Sequence, residues 1–140
     1  MKKVGPFLNF GGNCLEAFRY YEEHLGGKIL MSMKYSEQPD PKSGPPGEPD
    51  WVIYALLMIG ESQLMGSDVP QGTFQPIRSA YMSLSVESIE EAERVHAVLA
   101  DGGDVFMPMQ ETFYAFRFSM LRDKFGVLWM VINERPMPSA

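Results

Sequence analysis

The chain has 140 residues, 45% hydrophobic and 21% charged, with a formal charge of −6. That length suits one domain with a sizeable core, and the acidic balance argues against nucleic acid, which demands a basic face. No apolar run reaches the roughly 18 residues of a membrane span, and the opening MKKVGPFLNFGGN lacks an apolar stretch of signal-peptide length.

In chain order, 4–11 reads as a strand on its two-residue period, with Phe7 and Asn9 on one face and Leu8 and Phe10 on the other. Gly11-Gly12 breaks it. Asn13 is a natural helix N-cap with Glu16 completing a capping-box pattern, and Leu15, Phe18, Tyr21 and Leu25 form the buried stripe of the helix that follows. Gly26-Gly27 is its left-handed stop. A second strand covers 28–34. The Pro/Gly-rich, acidic stretch 36–50 buries almost nothing and reads as a lid or a disordered insertion. Strands follow at 51–58 and 62–65, joined by a turn at 59–61.

The segment 66–79 is a linker. A strand at 80–86 leads to Ser88, which with Glu91 makes an S-x-x-E capping box, and to a helix with Ile89, Ala92, Val95 and Leu99 inward. Gly102-Gly103 stops that helix. Strands are expected at 105–109, 113–121 and 127–133, with a tight turn at RDKFG (122–126) and a frayed tail from 134.

The two halves repeat. LEAFRYYEEHL (15–25) lies over IEEAERVHAVL (89–99), matching Glu16 with Glu90 and Leu25 with Leu99. Gly26-Gly27 falls on Gly102-Gly103, and 7–10 lies over 81–84. Each half is strand, helix, three strands. The expected fold is therefore α+β, two pseudo-twofold βαβββ modules (about 1–65 and 80–140) in one 140-residue domain. They would form a curved eight-stranded sheet with a central cleft. A helix covers one face of each half, and ligands favour the junction between such units.

This layout resembles the vicinal oxygen chelate superfamily of glyoxalase I, bleomycin-resistance and extradiol dioxygenase proteins. FLNFGGNCLEAFRYY, HLGGKI, GSD (66–68), QETFYAF (110–116) and DKFGVLWM (123–130) resemble its PhnB-like branch, also labelled 3-demethylubiquinone-9 3-methyltransferase. The resemblance implies a homodimer. It also implies a divalent-metal site, whose four ligand positions fall at about Phe7, Met65, Tyr81 and Met130. None of these suits Zn, Ni, Mn or Fe, which take imidazole, carboxylate or thiolate, and His24 and His96 lie on the helices. A methyltransferase of the common type needs a G-x-G-x-x-G loop in a parallel α/β sheet. FGGNC lacks that spacing and reads as a turn with an N-cap.

No metal or other cofactor is therefore expected. The expected site is a mostly apolar cavity for a small molecule, with Phe7, Met65, Leu128 and Met130 as walls and Asn9, Tyr81 and Ser83 as polar groups needing partners. Gln110, Phe113, Tyr114 and Phe116 would hold a flat or apolar ligand, or form a dimer seam. Eleven methionines fit either an adaptable pocket or an irregular core. Cys14, at the first helical position, is a candidate reactive thiol or a small buried hydrophobe, and as the sole cysteine it fits a reducing cytoplasm. Whether the chain is an enzyme stays open. The readings are a cytoplasmic binding or sequestering protein, a metal-dependent lyase or dioxygenase, and a metal-independent enzyme using Cys14 or Tyr81.

Overall fold

A computed structural model describes residues 2–40, 47–70 and 72–136. The centre of the loop read as a lid (41–46) and the end of the tail (137–140) lie outside the described residues. The chain divides into two compact units, Met1–Gln75 and Pro76–Ala140.

The first unit holds β1 (Phe7–Phe10), α1 (Cys14–His24), β2 (Gly27–Lys34), β3 (Val52–Ile59) and β4 (Ser62–Asp68). Its sheet has the order β1-β4-β3-β2, with β1 parallel to β4 and the other pairs antiparallel. Strand β4 runs three residues past its expected end at Met65, so GSD belongs to a strand rather than to the linker. The face under α1 carries Leu8, Phe10, Leu57 and Leu64, all buried. Phe10 meets Phe18 of α1 edge to face at 6.0 Å. Fully burying each such side chain contributes about 1.5–3 kcal/mol.

Helix α1 is rotated from the expected stripe. Cys14, Ala17, Phe18 and Tyr21 are buried, while Leu15 and Leu25 are half-buried. Gly66 explains the shift, because a Cβ there would lie 2.6 Å from Phe18 Cζ and 3.0 Å from Cys14 Sγ. The helix therefore sits directly on the glycine of β4. Gly26, with φ +70°, supplies the expected left-handed stop.

The second unit repeats the order with β5 (Met82–Ser85), α2 (Ile89–Ala100), β6 (Asp104–Gln110), β7 (Ala115–Arg122) and β8 (Leu128–Glu134). Its sheet runs β5-β8-β7-β6, with β5 parallel to β8. Ser88 caps α2 as its sequence indicates, its Oγ accepting from the Glu91 N–H at 3.0 Å. Ala92, Val95 and Leu99 pack inward against a sheet face holding Leu121, Trp129 and Val131. The fold is thus α+β, two βαβββ units whose eight strands make two hydrogen-bonded sheets of four.

Candidate functional site

Two buried carboxylates account for the best-defined sequence motifs. Asp68, the last residue of GSD, is 1% exposed. Its Oδ1 accepts from the Gly12 and Cys14 N–H groups at 2.9 and 3.0 Å, and its Oδ2 from the Val52 N–H at 3.0 Å. The carboxylate thus satisfies N–H groups at the positive end of α1 and ties them to the start of β3. Asn13 occupies the cap position but makes no side-chain cap bond, contrary to the sequence expectation. Asp123, the first residue of DKFG, accepts from Phe125 N–H, Val127 N–H and the Trp129 indole N–H at 2.9, 3.0 and 2.8 Å. A buried charge is tolerable only with such full hydrogen bonding.

Asp68 also anchors the mouth of the 36–50 loop. Tyr35 is buried and its hydroxyl donates to the Asp68 carbonyl at 2.6 Å. Tyr35 N–H donates to Trp51 O, and Ser36 N–H to Pro49 O. The Trp51 ring lies 2.9 Å from where a Cβ on Gly12 would stand, and Gly12 has φ +117°. Gly12 is therefore required by both conformation and space. The Gly12 and Cys14 amides of FGGNC are already bonded to the Asp68 carboxylate, whose charge would repel a phosphate there, and neither sheet has the parallel α/β layout of the common methyltransferase.

The sites suggested by the sequence distribute over the sheet faces opposite the helices. In-register residues of neighbouring strands point to the same face. In the first unit Phe7, Met65, Leu56 and Met31 form one apolar row across all four strands. Phe7 is 50% exposed and Met31 40%. Asn9 pairs with Ser67 one row along. In the second unit the row is Ser83, Met130, Met120 and Met107, and beside it run Ser85, Ile132, Phe118 and Gln110. Tyr81 falls one residue before β5, outside the strand. Phe7 therefore pairs with Met65 whereas Met130 pairs with Ser83, so the repeat that lays Phe7 on Tyr81 and Met65 on Met130 is out of step with the hydrogen-bonded register. A one-strand alignment cannot see the pairing that sets this.

The aromatic motif converges on that second face. Ala115, Phe118 and Ile132 form a buried cluster against which Tyr114, Met120 and Met130 pack. Phe113 meets Tyr114 edge to face at 5.0 Å, and Tyr114 meets Phe118 at 5.5 Å. Phe116 instead lies under the Arg135 guanidinium, 4.6 Å from the ring centre. Sequence reasoning missed Leu56, Met31, Met107, Met120, Phe118 and Ile132, whose membership depends on register alone.

The thiol and the imidazoles are poorly placed for chemistry. Cys14 is fully buried, and that burial, followed by the nearby Asp68 charge, pushes its thiol well above the ordinary range. This opposes thiolate formation, the reverse of a dipole-activated cysteine. His96 Nδ1 lies 2.8 Å from Ser119 Oγ, on the helix-covered side of the sheet, and burial lowers its pKa. His24 sits at the end of α1 beside Tyr20 and Glu23. Among the described residues no group of three His, Cys, Asp or Glu side chains could hold a metal ion. Phe7, Met65, Tyr81 and Met130 offer a phenyl ring, two thioethers and a phenol, and their row neighbours Asn9, Ser67 and Ser83 offer only an amide and hydroxyls. That donor set does not fit a divalent ion of the superfamily's kind. Among the described residues no helix is long and apolar enough to cross a membrane.

Residues 2–132 match the model of the family described as 3-demethylubiquinone-9 3-methyltransferase. Protein YjdN of Escherichia coli K12 is 34% identical, covering 95% of this chain and 97% of that protein. The crystal structure of PA1353 from Pseudomonas aeruginosa is 39% identical with a TM-score of 0.87, covering 97% of this chain and all of that one. A putative 3-demethylubiquinone-9 3-methyltransferase, PhnB protein, from Bacillus cereus is 25% identical with a TM-score of 0.80, covering 94% and 99%. The fold extends to a glyoxylase/bleomycin resistance protein/dioxygenase domain from Frankia, 20% identical at a TM-score of 0.63 over 96% and 99% of the two chains. The chain belongs to the 3-demethylubiquinone-9 3-methyltransferase, or PhnB-like, family, and shares its fold with the glyoxylase/bleomycin resistance protein/dioxygenase domain.

Proposed function

We propose that this PhnB-like chain is a cytoplasmic, homodimeric protein that binds or sequesters a small, partly apolar molecule against the sheet faces opposite its helices, without a metal. The observation that carries the reading is the composition of the rows. Phe7-Met65-Leu56-Met31 and Ser83-Met130-Met120-Met107 hold apolar side chains and one hydroxyl, with no carboxylate or imidazole among them. Thioethers suit an adaptable apolar wall and are poor ligands for hard or borderline cations. Acid–base work needs titratable groups within hydrogen-bond reach of substrate, and these rows supply none. Asn9 would orient a molecule bound on the first unit's face, and Ser83 and Gln110 one bound on the second's.

The test is a thermal-shift screen of tag-free protein against small apolar and aromatic compounds, with parallel addition of Ni, Zn, Mn and Fe and elemental analysis of the purified protein. The expected result is a rise in Tm with some of the organic compounds and none with the metals. Near-stoichiometric metal that survives dialysis would overturn the reading in favour of a lyase or dioxygenase.

A further inference from the structure

The second unit's open sheet face says more about the ligand than that it is apolar. Phe113 is 93% exposed, yet the hairpin that carries it is held at several points. Thr112 N–H donates to Ala115 O at 3.0 Å, and Tyr114 N–H to Thr112 Oγ1 at 3.3 Å. Arg135 clamps the same hairpin. Its backbone N–H donates to Tyr114 O, its Nε to Thr112 O at 3.0 Å, and its Nη2 pairs with Glu111. An exposed aromatic ring is thus presented on a fixed backbone, and it begins a continuous series. Phe113 leans edge to face on Tyr114, Tyr114 on Phe118, and Phe118 lies in the row beside Met120 and Met130.

The charges around this series are spent or distant. Arg135 is engaged by Glu111, and Arg117 by Glu93 on the helix side. Glu134, in register with Ala115, is the nearest carboxylate of the face and is exposed, so water screens it. It would repel an anion. Arg122 lies one row beyond Met120 on the same face, in register with Asp104, and is engaged too, its guanidinium over the Phe106 ring at 5.4 Å and donating to Ile77 O at 3.4 Å. What remains along the face is π surface, thioethers, and the polar tips of Tyr114, Ser85 and Gln110, for which no hydrogen-bond partner is seen among the described residues. Aromatic rings in edge-to-face series favour a further planar ring, and sulfur adds contacts at ring edges.

From this we infer that the molecule bound on the second unit is an uncharged planar aromatic carrying a hydroxyl or carbonyl, seated on Phe113, Tyr114 and Met120, with the buried Phe118 behind them. The inference rests on the proposed binding function and narrows it to a ligand class.

Isothermal titration with four related probes tests it: 2-naphthol, its saturated counterpart decahydro-2-naphthol, 2-naphthalenesulfonate, and 2-naphthylmethylamine, a cation at neutral pH. The expected order has 2-naphthol at least tenfold tighter than the other three. Phe113→Ala should weaken 2-naphthol by roughly tenfold, the scale of one aromatic contact with its buried area, while leaving Tm unchanged because Phe113 is solvent-facing. Equal binding of decahydro-2-naphthol would overturn the aromatic assignment and leave the apolar-binding function standing. Tighter binding of either charged probe, or a Phe113→Ala protein that binds 2-naphthol as well as the parent, would overturn it too. Failure of all four probes to bind would remove the inference together with the function beneath it.

Discussion

Replacing Asp68 by Asn tests whether one buried carboxylate organises the first unit. Wild-type Asp68 accepts three N–H bonds, from Gly12, Cys14 and Val52, each of 2.9–3.0 Å. An amide has one oxygen. If it keeps the Gly12 and Cys14 donors, its NH2 faces the Val52 N–H and leaves that buried donor unsatisfied, at a cost of about 1–3 kcal/mol. The two surviving bonds lose their charge assistance, roughly halving their strength, and the favourable interaction of a negative charge with the N-terminus of α1 disappears. Together these predict a loss of about 3 kcal/mol, large against the 5–15 kcal/mol typical of a domain. In urea titrations the midpoint should fall with little change in slope, and Tm should drop by roughly 10 °C. Amide exchange should accelerate first at Gly12, Cys14 and Val52. A loss below about 1 kcal/mol, or protection at those three amides unchanged, would refute the account.

Gly66→Ala should destabilise by about 1–3 kcal/mol through overpacking, since the new methyl would meet Phe18 Cζ at 2.6 Å and Cys14 Sγ at 3.0 Å; an unchanged Tm would show that α1 can move off β4 freely. Cys14 should resist a thiol reagent such as DTNB in native protein at pH 8 and react fully in urea, because it is buried with a raised pKa; rapid native labelling would revive the thiol-enzyme reading. Burial lowers the pKa of His96 in the folded chain below the ordinary imidazole value of 6.5. The unfolded chain therefore binds more protons between that folded pKa and 6.5, so stability should fall as pH drops through this window. Urea midpoints measured from pH 8 downward should show the slope, and His96→Gln should flatten it; an identical slope in the variant would assign the effect elsewhere.

The sequence determined the parts of the molecule whose causes are local. The two-residue and 3.6-residue periods marked all eight strands and both helices, because side-chain alternation is a property of a single segment. The Ser88 cap and the stops at Gly26 and Gly102 were legible for the same reason, since each is settled within about four residues of chain. The repeat and its motifs placed the chain in its family. The candidate site was legible only in outline. Phe7, Met65, Ser83 and Met130 came singly from pattern or resemblance, but the rows that join them depend on which residues of β1 and β4, or β5 and β8, face one another. Those strands are distant in sequence, and a slip of one residue would reverse every face. Asn13 shows the same limit from the other side. It had the composition of a cap, but its side chain makes no cap bond, and the negative charge at this helix start comes instead from Asp68, which accepts from the Gly12 and Cys14 N–H groups 54 to 56 residues away in sequence. Tertiary structure alone decided where that charge would lie.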